Sequence, residues 1–242
     1  MFAMSSRLAA LFLCSAVLIG CSSSAPPVEP PSPDRSALEA LYWERVAEDR
    51  SQYVQADVDF MSGMIGHHAQ ALVMSQFAEP NGADAAIRTL AARIMNAQRD
   101  EIAAMQKWLR DRDLPVITYR VDGARLILGI EGEPEGTPLP EAGTHDHSLM
   151  PGMLSQAQLD ELQAARGKLF DRLFLTYMIG HHGGAVTMVN ELLDAGGANL
   201  DRASFKLASD INADQSTEIV RMRQMLEARG GAPASATGGH AH

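Results

Sequence analysis

The sequence contains one pattern twice, and this internal repeat restricts the fold more than any other feature. The first set of repeated residues recurs after 114 residues and the second after 117. The first set is Asp57, Phe60, Met64, Ile65, His67, His68, Ala71 and Met74, which recurs as Asp171, Phe174, Met178, Ile179, His181, His182, Ala185 and Met188. The second is Ile94, Gln98, Glu101, Ile102, Met105 and Leu109, which recurs as Ile211, Gln215, Glu218, Ile219, Met222 and Leu226. Each half therefore holds a His-His segment followed by a Gln-x-x-Glu segment, as in a duplicated structural unit.

The repeated segments have the spacing of helices. In the first His-His segment, the repeated residues from Phe60 to Met74 include a series separated by three or four positions, which places them on one face of a helix. Pro80-Asn81-Gly82 and Gly196-Gly197 follow the two His-His helices and predict their ends. Two helical hairpins of this kind predict an all-α protein built as a four-helix bundle.

The repeat also predicts the domain limits. A bundle over residues 35–229 contains the two repeats, at about 35–112 and 154–229, and capping-box patterns mark helix starts at Ser36 with Glu39 and at Ser155 with Gln158.

The two segments that interrupt or follow the repeats differ from them in composition. The central linker, 113–153, contains a partly β-branched stretch around Asp122-Gly123, which predicts a small β-hairpin. Residues 230–242 are rich in Gly, Ala and Ser and contain two histidines, so we expect a disordered, His-containing tail.

The N-terminus predicts export and lipidation. Residues 1–20 read as a signal peptide, because Arg7 precedes an apolar run too short to span a bilayer. The run ends in Leu-Ile-Gly-Cys, which resembles a bacterial lipobox with Cys21 as the acylated residue, and 21–34 reads as a flexible tether. We therefore expect a lipid anchor in a membrane of the cell envelope, in the periplasm or on an extracytoplasmic membrane face. Cys14 and Cys21 both lie in this region, so the mature fold offers no thiol to a metal.

The charge excludes one class of partner. The net charge is −10 and no block of basic residues is present, so nucleic acid is not an expected partner. No sequence feature identifies a protein partner.

All eight histidines have another histidine within two residues, which indicates metal affinity. The pairs are His67-His68, His145 with His147, His181-His182, and His240 with His242. The linker and tail histidines are not on predicted helices and would pay an ordering cost on binding. We therefore expect a tight site on the His-His helices and weaker binding by the linker and tail.

Methionines narrow the choice of metal. Met64 precedes His67 by three residues, Met61 lies one turn earlier, and Met178 repeats the position of Met64. Thioether sulfur suits Cu(I) but not Mg²⁺ or Ca²⁺, and imidazole suits both Cu(I) and Cu(II). With no thiol present, these donors favour copper as the bound ion, although core packing explains a buried methionine equally well.

Two other interpretations remain open. Asp57, Glu101, Asp171 and Glu218 place one acid on each predicted helix, which is compatible with a ferritin-like di-metal oxidase using Asp, Glu and His ligands. The Glu-x-x-His spacing of those sites is missing, and the two glutamates could instead pair with histidines or with buried arginines. The histidines could also serve only as hydrogen-bonding core residues of a non-metal interaction module.

The tandem His-His-x-x-Ala segments and the Met150-Pro151-Gly152-Met153 linker resemble the bacterial domain of unknown function 305 family, from about Asp57 to Leu226. The resemblance implies a ferritin-like bundle, an envelope location and, for some members, copper binding linked to copper tolerance. By match of motif it implies His67, His68, His181, His182, Met64 and Met178 as ligands. Our leading hypothesis is an envelope lipoprotein, not an enzyme, that binds copper for sequestration, tolerance or transfer as part of copper homeostasis.

Overall fold

The computed structural model describes residues 34–139, 150–195 and 201–230. The helices are α1 (Arg35–Ser51), α2 (Gln55–Ser75), α3 (Ala85–Arg110), α4 (Gln156–Ala164), α5 (Gly167–Asp194) and α6 (Arg202–Glu227), and the strands are β1 (Ile117–Asp122) and β2 (Arg125–Ile130). The predicted signal peptide, the tether up to residue 33, the tail from residue 231 and Gly196-Gly197 lie outside the described residues. The candidate residues Cys21, His145 and His147 lie outside them as well.

The chain divides into two compact units, 1–40 and 41–242. The first unit is described only from Asp34, and the second contains every element from α2 onward. No helix in the described ranges combines the length and the hydropathy that a membrane span needs.

The second unit confirms the predicted helical bundle. Helix α2 packs along α3 and helix α5 along α6, which gives two helical hairpins, and the hairpins meet where α2 contacts α5. The bundle therefore brings together the two His-His helices.

Helix α2 is buried on nearly all sides, from Asp57 to Ser75. The sequence predicted that only one face of this helix is buried, but the buried surface is wider than one face. The reason is the number of neighbours, since α2 also contacts α4 and both strands in addition to α3 and α5.

The small β-hairpin in the linker is also confirmed. Strands β1 and β2 pair antiparallel, with Asp122 opposite Arg125 across a tight turn. Gln106 on α3 donates to the Ile117 carbonyl, and Gln76 after α2 donates to the Gly123 carbonyl. The linker is therefore attached to the bundle at both ends of the hairpin.

One of the two predicted capping boxes is present. Ser155 and Gln158 cap α4 as expected. The prediction at Ser36 was wrong, because α1 begins at Arg35 and the carboxylate of Asp34 accepts a hydrogen bond from the Ser36 amide. Aspartate is as good an N-cap as serine, and it lies two residues earlier.

Helices α3 and α6 are joined at their ends by two equivalent ion pairs. Asp84 and Asp201 are the N-cap residues of α3 and α6, and each pairs with an arginine that follows the other helix. Arg112 pairs with Asp201, and Arg229 pairs with Asp84 at 3.0 Å. Both aspartates and both arginines keep the 117-residue offset, so the repeat extends to the helix ends.

Candidate metal centre

Four histidine side chains meet where α2 and α5 contact each other. His67, His68, His181 and His182 are each 0% exposed. The ring centroids of His67 and His181 are 3.9 Å apart, and those within each pair are 6.4 and 6.3 Å apart. The structure therefore combines both predicted His-His pairs into one buried cluster of four imidazoles.

The repeated glutamates on α3 and α6 reach this cluster from the outside. His182 Nε2–H donates to Glu218 Oε2 at 2.7 Å. Glu101 Oε2 lies 2.8 Å from His68 Nε2, but the angles of this contact are not those of a hydrogen bond. Of the partners predicted for these glutamates, the structure selects the histidines rather than buried arginines.

The linker supplies the acceptor for His67. His67 Nε2–H donates to the Pro151 carbonyl at 3.1 Å. The linker backbone can come this close because of two glycines. Gly152 has φ of +79°, and a Cβ on Gly184 would lie 1.8 Å from the Pro151 carbonyl oxygen. The sequence does not show which backbone carbonyl accepts from a histidine. The glycines of α5 could have indicated that another segment of backbone packs closely against this helix.

The cluster contains ring nitrogens that nothing in the described structure satisfies. The Nδ1 atoms of all four histidines are buried without a hydrogen-bond partner, and His181 Nε2 has none either. Leaving a buried polar atom unsatisfied costs about 1–3 kcal/mol, so such atoms are rare unless they have a use. Unprotonated ring nitrogens in a buried group are the donors that a soft or borderline metal ion requires, so the residues present fit copper.

Burial keeps these imidazoles neutral. It lowers the pKa of His67 to about 3, and His68 and His182 add to the shift. Burial and the neighbouring histidines also hold the pKa of His181 well below its usual range. Burial lowers the pKa of His182 although Glu218 opposes the shift. Neutral imidazole is the form that binds metal.

The candidate methionines are fully buried. Met61 and Met64 pack in one apolar cluster with residues of α3 and β1, and Met178 packs in another cluster with residues of α3 and α6. Core packing therefore accounts for all three, and their role as ligands stays a prediction. Among the described residues, no three His, Cys, Asp or Glu side chains already surround a point suited to an ion, so binding needs ring rotation or additional donors.

The two aspartates of the di-metal oxidase interpretation, Asp57 and Asp171, accept hydrogen bonds at the starts of α2 and α3. Asp57 accepts a hydrogen bond from the Val54 amide, and Asp171 accepts one from the Asp84 amide. Asp57 lies ten residues before His67 on one helix, which is about 15 Å at 1.5 Å per residue. Of the four predicted acids, only the two glutamates contact the histidines.

The fold and the site define a duplicated helical bundle with a buried histidine cluster between its halves. The family model for DUF305, a domain of unknown function, matches residues 57–226. The chain belongs to the DUF305 family. None of the curated proteins matches the sequence.

Solved structures of the family resemble this chain over most of its length. A DUF305 protein from Streptomyces coelicolor that carries the description of a secreted protein is 26% identical, with a TM-score of 0.56 over 77% of this chain and 97% of that one. A DUF305 fragment from Deinococcus radiodurans is 28% identical, with a TM-score of 0.56 over 73% and 98%. CopM in its Cu(II)-bound form is 27% identical, with a TM-score of 0.50 over 71% and 96%. CopM has also been solved in a Cu(I)-bound form.

Proposed function

We propose that this protein binds copper at the four-histidine cluster and stores or transfers the ion rather than turning over a substrate. The observation that carries the proposal is His181. Its side chain is 0% exposed and neither ring nitrogen makes a hydrogen bond of good geometry. The His67 backbone is near enough to oppose the lowering of the His181 pKa, but a purely structural role leaves the imidazole without a well-formed hydrogen bond. The copper-bound forms of CopM, a similar protein, support copper as the ion.

The surroundings of the other imidazoles match those of metal-binding histidines. A histidine ligand usually donates its second ring N–H to a carboxylate or a backbone carbonyl, which orients the ring and leaves the other nitrogen for the metal. His182 donates from Nε2 to Glu218, and His67 donates from Nε2 to Pro151. Both leave Nδ1 available.

The four imidazoles would hold the ion, and Met64 and Met178 are the thioether donors that the family motif implies. Copper bound there supplies a redox-active ion in a site that water does not reach. The chain's own residues keep the imidazoles neutral, orient them and exclude solvent. Because the pKa of His67 is already about 3, protons at pH 5 compete with a metal for it less than they do for an ordinary histidine.

The test separates a metal ligand from a structural histidine. His181→Phe keeps an aromatic ring beside His67 and removes only the unpartnered nitrogens, so we expect unchanged or higher stability. In an anaerobic Cu(I) titration against a chelator, we expect affinity to fall by at least about tenfold, or 1.4 kcal/mol. A variant that loses stability and keeps its copper affinity would instead support the interaction-module interpretation.

A matched pair of methionine variants tests the thioether donors. Met178 and Met222 are both 0% exposed and pack in the same apolar cluster. Leucine replaces methionine with little loss of packing. If Met178 is a ligand, Met178→Leu weakens Cu(I) binding and leaves Cu(II) binding nearly unchanged, whereas Met222→Leu changes neither. Equal affinities in both variants would assign Met178 to the core alone.

The di-metal oxidase is the weaker candidate, and the contacts of Glu101 with His68 and of Glu218 with His182 are what favour it. It would have to work without Asp57 and Asp171, which hydrogen-bond to backbone amides elsewhere. Oxygen consumption on addition of Fe(II) to the metal-free protein would support it. A copper-binding protein without oxidase activity consumes none.

We further propose that the protein is a lipid-anchored envelope protein, with Cys21 as the acylated residue. The proposal is supported by the lipobox-like sequence and by the description of the Streptomyces relative as secreted. Palmitate labelling in a bacterial host should be lost in Cys21→Ser and kept in Cys14→Ser, which controls for the loss of a cysteine. Labelling that survives Cys21→Ser would contradict the anchor.

A further inference from the structure

A narrow crevice lies between α3 and α6, outside the histidine cluster. Gln98 and Glu101 line it from α3, and Gln215 and Glu218 line it from α6, around a cavity of about 240 Å³. These residues are the repeated Gln-x-x-Glu motif of each half. The crevice therefore lies where the two copies of that motif face each other.

The two glutamines are the least explained residues of the crevice. Gln98 is 1% exposed and Gln215 is 2% exposed. Both amide atoms of Gln98 and the Oε1 atom of Gln215 lack a hydrogen-bond partner. Three buried amide atoms without partners, at equivalent positions of a repeat, indicate that something outside the chain satisfies them.

The charge around these amides favours a cation. Glu101 and Glu218 have side chains 14% and 24% exposed, and Asp214 also lines the crevice. Arg93 also lines the crevice, but the three carboxylates of Glu101, Asp214 and Glu218 leave the net charge of the crevice negative.

We propose that this crevice is a second, outer cation site, in which the carboxamide oxygens of Gln98 and Gln215 and the carboxylates of Glu101 and Glu218 hold a hydrated divalent ion. Carboxylate, carbonyl and water oxygens suit hard ions such as Mn²⁺, Ca²⁺ and Mg²⁺, whereas the imidazoles beneath suit copper. The outer site does not require the copper proposal to be correct, because it uses different donor atoms and a different class of ion.

Mn²⁺ is the probe, and loss of the free-ion electron paramagnetic resonance signal reports binding. We expect one equivalent to bind the purified protein with a Kd of about 10⁻⁴–10⁻³ M, as for other weak oxygen-donor sites. Gln98→Leu/Gln215→Leu should weaken binding at least about tenfold. The same double variant should unfold at the same or a higher denaturant concentration, because three of the four amide atoms that it removes are buried without a partner.

Two controls complete the test. Gln163→Leu/Gln224→Leu removes two exposed glutamines and should leave Mn²⁺ affinity unchanged. His181→Phe should also leave it unchanged, since the outer site does not use the imidazoles. The proposal is overturned if Mn²⁺ does not bind at millimolar concentration or binds Gln98→Leu/Gln215→Leu as tightly as the unaltered protein. Loss of Mn²⁺ in His181→Phe would place the ion among the histidines and overturn it as well.

Discussion

Among the positions at which the two His-His helices differ, one lies three residues after the first histidine of each pair. The first helix has Gln70 there and the second has Gly184. Gln70 donates to the Leu154 carbonyl at 3.0 Å and accepts from the Leu154 amide at 2.8 Å. Gly184 makes room for the Pro151 carbonyl, which lies where a side chain would begin.

The difference shows how a duplicated unit adapts to a single linker. One asymmetric segment, Met150 to Leu154, lies against both helices, so the two helices cannot offer it the same group. The first half supplies the hydrogen bonds, from Gln70 and His67, and the second half supplies the space. The histidines are kept in both copies while their supports have diverged.

The largest expected effect on stability comes from comparing the two equivalent ion pairs at the ends of α3 and α6. The side chains of Arg112 and its partner Asp201 are 6% and 1% exposed, and the Arg112 guanidinium lies over the Trp108 ring at 4.1 Å. In the equivalent pair, the side chains of Arg229 and Asp84 are 24% and 51% exposed. Removing one member of a buried pair costs about 3–5 kcal/mol, and an exposed pair contributes about 0–1 kcal/mol. Chemical denaturation should therefore show Arg112→Ala far less stable than Arg229→Ala. Similar losses would mean that burial does not distinguish the two pairs.

The next effect concerns the space beside Pro151. Gly184→Ala puts a Cβ 1.8 Å from a backbone oxygen, and no side-chain rotation can relieve that contact. Overpacking of this kind costs about 1–3 kcal/mol or more. Gly183→Ala is the matched control, because its Cβ meets nothing within 4 Å and alanine favours the helix by up to about 1 kcal/mol. Denaturation curves should move in opposite directions, and a stable Gly184→Ala protein would show that the linker does not pack as described.

The third effect concerns how the stability of the metal-free protein depends on pH. Native His67 stays neutral down to a pH of about 3, whereas in the unfolded chain a histidine protonates near 6.5. Between those values the unfolded state binds more protons, so the free energy of unfolding falls as pH falls, by up to about 1.4 kcal/mol per pH unit for each such histidine. Removing one of these histidines should flatten the dependence, so His181→Phe should lose less stability between pH 6.5 and 4.5. Parallel curves for the two proteins would contradict a neutral, buried His181.

The bundle could be predicted because a repeat with helical spacing has few alternatives. The two copies of the Gln-x-x-Glu motif and the stretch around Asp122-Gly123 also correspond to elements of the structure. The ion pairs of Arg112 and Arg229 keep the repeat offset and could have been found by extending the comparison of the halves.

The rest of the site depends on groups that a side-chain pattern does not show. The acceptor for His67 is a backbone carbonyl, and only the folded linker brings it there. The burial of both His67 and His68 follows from α2 having neighbours on nearly all sides, and a single helix face cannot predict that. The sequence shows that Glu101 and Glu218 occupy equivalent positions of the repeat. It does not show that they contact histidines rather than arginines.

The most direct test of the central claim is a long-range ¹H–¹⁵N spectrum of the histidine side chains, recorded before and after one equivalent of Cu(I), which is diamagnetic. We expect the Nδ1 resonances of His67 and His182 to shift while their Nε2 atoms stay protonated, held by Pro151 and Glu218. His181→Phe should change these shifts, because it removes one imidazole from the cluster. If the first equivalent shifts only His145, His147, His240 and His242, the bundle does not contain the copper site and its histidines serve the fold alone.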